Sequence, residues 1–201
     1  MALAARFVRA RALPAGDPAL EPDADLVRAR DLLERYAARD VPQALARERM
    51  LQFLDVHPSD AQRRELLVGH LTASALVVDA HGERALLTHH RKLDRWLQLG
   101  GHCDGDANLA GTALRECLEE SGIEGLAILP EPIDLDIHPI PARAAEPEHL
   151  HLDTRFLVLA PPGAIETASA ESHALRWFTP LELAGIDTDD SVRRLFDLVF
   201  G

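Results

Sequence analysis

Apolar positions recur along the chain with two different periods, and the period changes near Gly69. Upstream, Leu26, Val27, Leu33 and Tyr36 share one stripe of a helix that Asp23 can cap. Leu45, Met50, Phe53 and Leu54 are apolar on a second helix, opened by Pro42 and ended by His57-Pro58. Ser59 with Gln62 has the form of a capping box and predicts a third, short helix ending near Gly69. Residues 1–22 are rich in Ala and Pro, with an irregular end at 14–22 and a ragged helix or tail before it. Beyond Gly69 the pattern reads as strands at 71–79 and 84–88 around a His81-Gly82 turn, with a short segment at 96–99. A glycine-rich loop leads into a helix with Asn108 as N-cap and Gly122 at its end. Residues 133–140 alternate Ile, Leu, Ile against Asp, Asp, His, and residues 149–160 and 174–178 complete the strands. Thr179-Pro180-Leu181-Glu182 is a second capping box, ahead of a final amphipathic helix over 190–200. The expected class is α/β: a small helical segment over 1–68 and a mixed domain over 69–201.

Composition narrows the function. The chain has 201 residues, 47% hydrophobic and 27% charged, enough for one full core with an extension. No apolar run approaches the roughly 18 residues that span a bilayer, so no membrane partner is expected. The net charge of -12 gives no basic face for nucleic acid, and an anionic ligand would need a few Arg or a bound metal. Two cysteines, Cys103 and Cys117, imply neither a disulfide framework nor a Cys-based zinc site; Cys117 reads as a small buried hydrophobe. The N-terminus lacks the apolar core, about 7–15 residues, of a secretory signal, and the cytoplasm is the expected location.

Candidate chemistry concentrates near the glycine loop. Glu116, Glu119 and Glu120 stand at i, i+3 and i+4 on one helical face, in the last turns before Gly122. Carboxylates at a helix C-terminus are disfavoured by roughly 0.3–1 kcal/mol each. A hard cation, Mg²⁺ or Mn²⁺, would compensate; the alternative, which spacing alone favours, is a solvated helix face. On residues 149–155, His149, His151, Asp153 and Arg155 alternate and so project from one side of a strand, with Leu150, Leu152 and Phe156 toward the core. The favoured reading is a pocket wall on which Arg155 grips phosphate. A second metal site, because His-x-His suits Zn²⁺ or Mn²⁺, and a solvated strand surface are the alternatives. His102, beside the glycine pair, is read as a substrate contact. His70 and His89 are read as structural, Trp96 and Trp177 as core, and Arg91, Lys92 and Arg95 as a solvated loop.

The stretch from Gly101 to Ile123 resembles the Nudix box, Gly-x5-Glu-x7-Arg-Glu-U-x-Glu-Glu-x-Gly-U with U apolar. Gly101, Arg115, Glu116, Glu119, Glu120, Gly122 and Ile123 match at the required spacing, with Cys117 at the first U. Ala107 replaces the first Glu, which in the family pairs with the box Arg; Asp104 or Asp106 could take over that pairing. The resemblance extends over about 69–201. It implies an α/β/α sandwich with a mixed sheet, and divalent-metal-dependent hydrolysis of a nucleoside diphosphate linked to another group. It implies Glu116, Glu119 and Glu120 as ligands of Mg²⁺ (or Mn²⁺). Arg115, Glu116, Glu120 and the later acid Glu171 are the catalytic set, and Gly101, His102, His151, Asp153 and Arg155 the substrate contacts. The partner is then a small molecule, and the N-terminal helices offer, without demanding, a homodimer interface. The competing readings are a catalytically weak nucleotide-binding sensor and a Zn²⁺/Mn²⁺ enzyme centred on His149 and His151.

Overall fold

The change of period at Gly69 marks the start of the long strands, although Leu13–Pro14, in the segment expected to be helical, already adds a two-residue strand to the same sheet. The computed structural model describes residues 12–143, 146–169 and 172–201, so the ragged helix or tail read over the first eleven residues lies outside the described residues. Two helices come first, α1 (Leu26–Arg35) and α2 (Val41–Val56). Asp25, rather than Asp23, caps α1 by accepting from the Val27 N–H, and Asp40 caps α2 with Pro42 in its first turn. Val27 and Leu45 face solvent, whereas Leu33, Met50 and Leu54 are buried. The third helix expected over 59–68 does not form; the segment is a run of turns. Its Gln62 is buried and donates to the Ala24 carbonyl instead of closing a capping box.

Eight strands among the described residues make one mixed sheet. They are β1 (Leu13–Pro14), β2 (Gly69–Val78), β3 (Ala85–His90), β4 (Arg95–Leu97), β5 (Leu99–His102), β6 (Ala127–Ile140), β7 (His149–Leu159) and β8 (Ser172–Phe178). The segment expected at 96–99 is thus split at Gln98 into two strands. The order is β1-β6-β7-β2-β3-β4, with β5 also paired to β2 and β8 to β3. β2 and β7 run parallel at the centre, and the other pairs are antiparallel. Three further helices complete the fold: α3 (Leu109–Ser121), α4 (Pro180–Leu183) and α5 (Asp190–Phe200). Both halves of the Thr179/Glu182 capping box are present at α4. No helix among the described residues is long and apolar enough to cross a membrane.

Strand pleating sends alternate residues of β2 to opposite faces. Leu71, Ala73, Ala75 and Val77 join a core with Leu109, Ala113, Leu114 and Cys117 of α3 and with Leu33, Met50 and Leu54 of the N-terminal helices. Leu76 and Val78 join a second core with Val192, Leu195, Phe196 and Val199 of α5. The result is an α/β/α sandwich in which the N-terminal helices share the α3 layer. Burial of each large side chain contributes roughly 1.5–3 kcal/mol, so Leu33, Met50 and Leu54 anchor those helices to the layer. Gln43 of α2 fixes the junction further. Its amide donates to the Leu135 carbonyl at 3.0 Å and accepts from the Leu135 N–H at 2.9 Å and the Tyr36 hydroxyl at 2.7 Å.

Candidate active site

The helix that carries the three glutamates is bounded as its sequence requires. Asn108 accepts from the Gly111 N–H, and Gly122 closes the helix at φ 63°, a left-handed turn that glycine takes without strain. The carboxylates gather around β5. The Gly100 N–H donates to Glu120 at 3.3 Å, and a Cβ at Gly101 would overlap the Glu116 carboxylate. A Cβ at Gly100 would overlap the Ser74 backbone of β2. The glycine pair is therefore set by close approach on both sides. Arg115 donates to Glu116 at 3.0 Å and to the His102 carbonyl at 3.1 Å, and lies 3.9 Å from Glu119. Burial raises the pKa of Glu116; Arg115 opposes the rise, and the charges of Glu119 and Asp104 add to it. Glu119 is 66% exposed.

Neither Asp104 nor Asp106 replaces the missing box Glu as partner of Arg115. Asp104 makes a two-pronged pair with Arg64 at 2.7 and 3.1 Å. Asp106 accepts the backbone N–H groups of Asp23 and Asn108. Arg115 turns to Glu116 instead. Ala107 itself is fully buried, and its N–H donates to the Asp23 carbonyl of the N-terminal segment. It lines a cleft of about 450 Å³ with Leu20, Leu32, Tyr36 and Pro130, away from the glutamates. At this fully buried position a glutamate would carry its charge into the interior, which is costly without a partner.

One residue beyond Gly101 the pleat reverses, and His102 turns to the other face of the sheet. That face is apolar at one end and polar at the other. β2 passes from Val78 and Leu76 to Ser74, Thr72 and His70, and β7 from Leu159 and Leu157 to Arg155, Asp153, His151 and His149. β6 adds Asp134, Asp136 and His138, in register with Arg155, Asp153 and His151.

Arg155 does not stand on an open pocket wall. It is 1% exposed and bonded to Asp153 at 2.9 Å, Asp136 at 3.1 Å and Asp134 at 3.5 Å. Asp153 is also consumed, accepting from Thr72 at 3.0 Å and Ser74 at 2.7 Å. Arg194 of α5 and Arg39, between α1 and α2, close the network on Asp134 at 2.7 and 3.1 Å. A bare guanidinium is too costly to bury, so the fold surrounds Arg155 with carboxylates, which leaves it no free donor face for a phosphate. Burial would raise the Asp136 carboxyl, but the hydrogen bonds from His138 and Arg194 and the charge of Arg155 hold it far below the usual range.

Past Asp153 the polar side chains are histidines. The His70 ring lies 5.0 Å from each of the His102, His149 and His151 rings, and His138 lies 5.5 Å from His151. Among the described residues, His70, His102 and His151 are the group whose potential metal-donor atoms all lie within 4.8 Å of one another. The glutamates of the box are not drawn together so closely, because Arg115 stands between Glu116 and Glu119. Burial lowers the pKa of His102 to about 4 and of His151 to about 2, and lowers that of His70; neighbouring histidines, with Arg64 at His70 and His102, add to the drop, whereas Asp104 opposes it at both and Glu146 at His102.

The structure thus brings Gly101, Arg115, Glu116 and Glu120 together, sets His102 and His151 on the opposite face, and buries Asp153 and Arg155 in an ion network. Glu171 lies outside the described residues. Sequence reasoning missed His70 as a member of this cluster, because its neighbour His151 is 81 positions away in a parallel partner strand. His138 was foreshadowed by the alternation over 133–140.

A model of the NUDIX domain matches residues 69–198, well over half of the chain. The chain belongs to the Nudix family. Its structural relatives agree in fold. A Nudix-family hydrolase from Clostridium perfringens has a TM-score of 0.50 at 20% identity, with 63% of this chain and 93% of that one covered. The Ap4A hydrolase of C. elegans has a TM-score of 0.52 at 17% identity, with 64% and 93% covered. No curated protein matches the chain. At these identities the solved structures speak for the Nudix fold alone.

Proposed function

We propose that this Nudix protein hydrolyses a diphosphate bond in a nucleoside diphosphate linked to another group, with Mg²⁺ or Mn²⁺. The observation that carries the reading is the set of carboxylates around Gly100-Gly101. The donors are hard oxygens on one helical face, one of them already destabilised by burial and by its neighbours, which fits a hard divalent cation. Glu116, Glu119 and Glu120 would hold the ions. Bound there, a divalent ion would supply charge neutralisation to the reacting diphosphate. Arg115 orients Glu116 and ties it to the β5 backbone through the His102 carbonyl. The lack of a side chain at Gly101 leaves room for the Glu116 carboxylate to lie against β5. Glu116 or Glu120 accepts the proton from the attacking water. The small-molecule partner is the nucleotide derivative itself, as for the relative whose name includes Ap4A.

The test is incubation with ADP-ribose, sugar nucleotides and dinucleoside polyphosphates in Mg²⁺ or Mn²⁺, with products identified by mass. One class is expected to turn over, and Glu120→Gln to lower kcat/KM at least about 100-fold. A variant that loses kcat while retaining metal affinity marks the proton acceptor; loss of both marks a ligand. Tight nucleotide binding without turnover, unaffected by Glu119→Gln, would establish a sensor and sink the hydrolase.

A further inference from the structure

Buried polar atoms in folded proteins are nearly always hydrogen-bonded, so an unpaired one needs an explanation. His70 is 3% exposed, and neither of its ring nitrogens has a partner in good hydrogen-bond geometry, although the Leu66 backbone lies near enough to favour the protonated ring. The His151 Nε2 is likewise buried and unpartnered. These atoms point into one cluster, built by sheet register. His70 pairs with His151, His151 with His138, and Thr72 with His102, so strands distant in sequence deliver imidazoles to a single spot.

We propose that His70, His102 and His151 form a transition-metal site, separate from the carboxylates of the Nudix box and suited above all to Zn²⁺. Neutral imidazole nitrogens are the donors that Zn²⁺ prefers over Mg²⁺, and three of them with an open position make a familiar zinc coordination set. Burial keeps the three rings unprotonated at neutral pH, the form that binds metal. Two further rings flank the trio in the state expected of ligands or their supports. His149 Nδ1 donates to the Pro147 carbonyl at 2.9 Å, and His138 Nδ1 donates to Asp136 at 2.8 Å. In each, the hydrogen bond is made by Nδ1 and leaves Nε2 outside it. Asp104, Glu146 and Asp136 supply the negative charge nearby. One cation opposes the site: Arg64 donates to His102 Nδ1 at 2.9 Å. That arginine is half-exposed and is also held by a two-pronged pair with Asp104, so a metal would have to displace only its bond to the ring. Pleating separates this site from the box, since Gly101 faces α3 and His102 faces away from it. The proposal therefore stands whether or not the protein hydrolyses nucleotides.

The full chain, stripped with a chelator, would be titrated with Zn²⁺ against a chromophoric competitor and with Co²⁺ for its visible spectrum. The expected result is one ion per chain, with the intense bands of four-coordinate Co²⁺. His102→Gln and His151→Gln should each weaken Zn²⁺ binding by about 100-fold or more, and Glu119→Gln and Glu120→Gln should leave it unchanged. His102 is half-buried on a short strand, so its variant tests the ligand without emptying the core, and circular dichroism reports its fold. Zn²⁺ binding that survives both histidine variants, or that falls with the glutamate variants, would overturn the site. So would weak, six-coordinate Co²⁺, or no binding by the folded native chain.

Discussion

Two polar patches lie side by side on one face of the same sheet, each with a buried centre, Arg155 in one and His70 in the other, and they treat burial in opposite ways. In the first, Arg155, Arg194 and Arg39 meet Asp134, Asp136 and Asp153, so three positive charges answer three negative ones, and Thr72 and Ser74 occupy remaining oxygens. In the second, a few ångströms along β2 and β7, His70 and His151 keep nitrogens with no partner. A saturated network is architecture, however rich in charge. An unsaturated one keeps donor atoms in reserve for something outside the chain. Charge content alone would have ranked the two the other way, as the reading of Arg155 as a phosphate grip did.

The contrast breaks most sharply at Arg155. Arg155→Met leaves three buried carboxylates short of a counter-ion and is expected to cost about 3–5 kcal/mol in urea-unfolding free energy. A loss below about 1 kcal/mol would mean that the network is not the keystone described.

Acid separates the patches next. The folded pKa of His102, about 4, and of His151, about 2, lie below the unfolded value of roughly 6.5. The unfolded chain therefore binds more protons as pH falls, and stability present above about pH 6.5 is lost progressively toward pH 4 and beyond. Asp136 is depressed from the usual carboxylate range, so its contribution is held above about pH 4 and lost only below it. Metal-free protein should thus weaken first through the histidines, and His102→Gln should flatten the slope of urea midpoint against pH between 6.5 and 4. An unchanged slope would show that the rings titrate freely.

The smallest effect is the most telling. His70→Leu removes an unpartnered buried ring and inserts an apolar side chain of similar size. In chelator it should stay within about 1 kcal/mol of the native chain or exceed it. A loss on the scale of Arg155→Met would reveal a hydrogen-bonded, purely structural histidine.

Much of this was legible in the sequence, and the reasons for the rest are physical. Caps and periods wrote the box helix, from Asn108 to Gly122, and the final helix over 190–200, because local rules decide those ends. The Gly101–Glu120 arrangement was legible because loop and helix are contiguous. Residues 59–68 misled, since a Ser-x-x-Gln pattern caps a helix only when Gln62 is not already needed by the Ala24 carbonyl. Alternation placed His151, Asp153 and Arg155 on one side of a strand. It did not say what covers that side, because the covering residues, Asp134, Thr72 and Arg194, arrive from β6, β2 and α5. Strand register between remote segments is the step that sequence period cannot supply.

Arg39 and Arg194 grip the same carboxylate of Asp134, one from the turn between the first two helices and the other from the last helix. The early and late parts of the polypeptide are thereby latched to one atom group in the middle of the sheet. Amide protons of α1, α2 and α5 should then exchange with solvent together, in a single opening event, so that the early helices and the last helix let go as one unit.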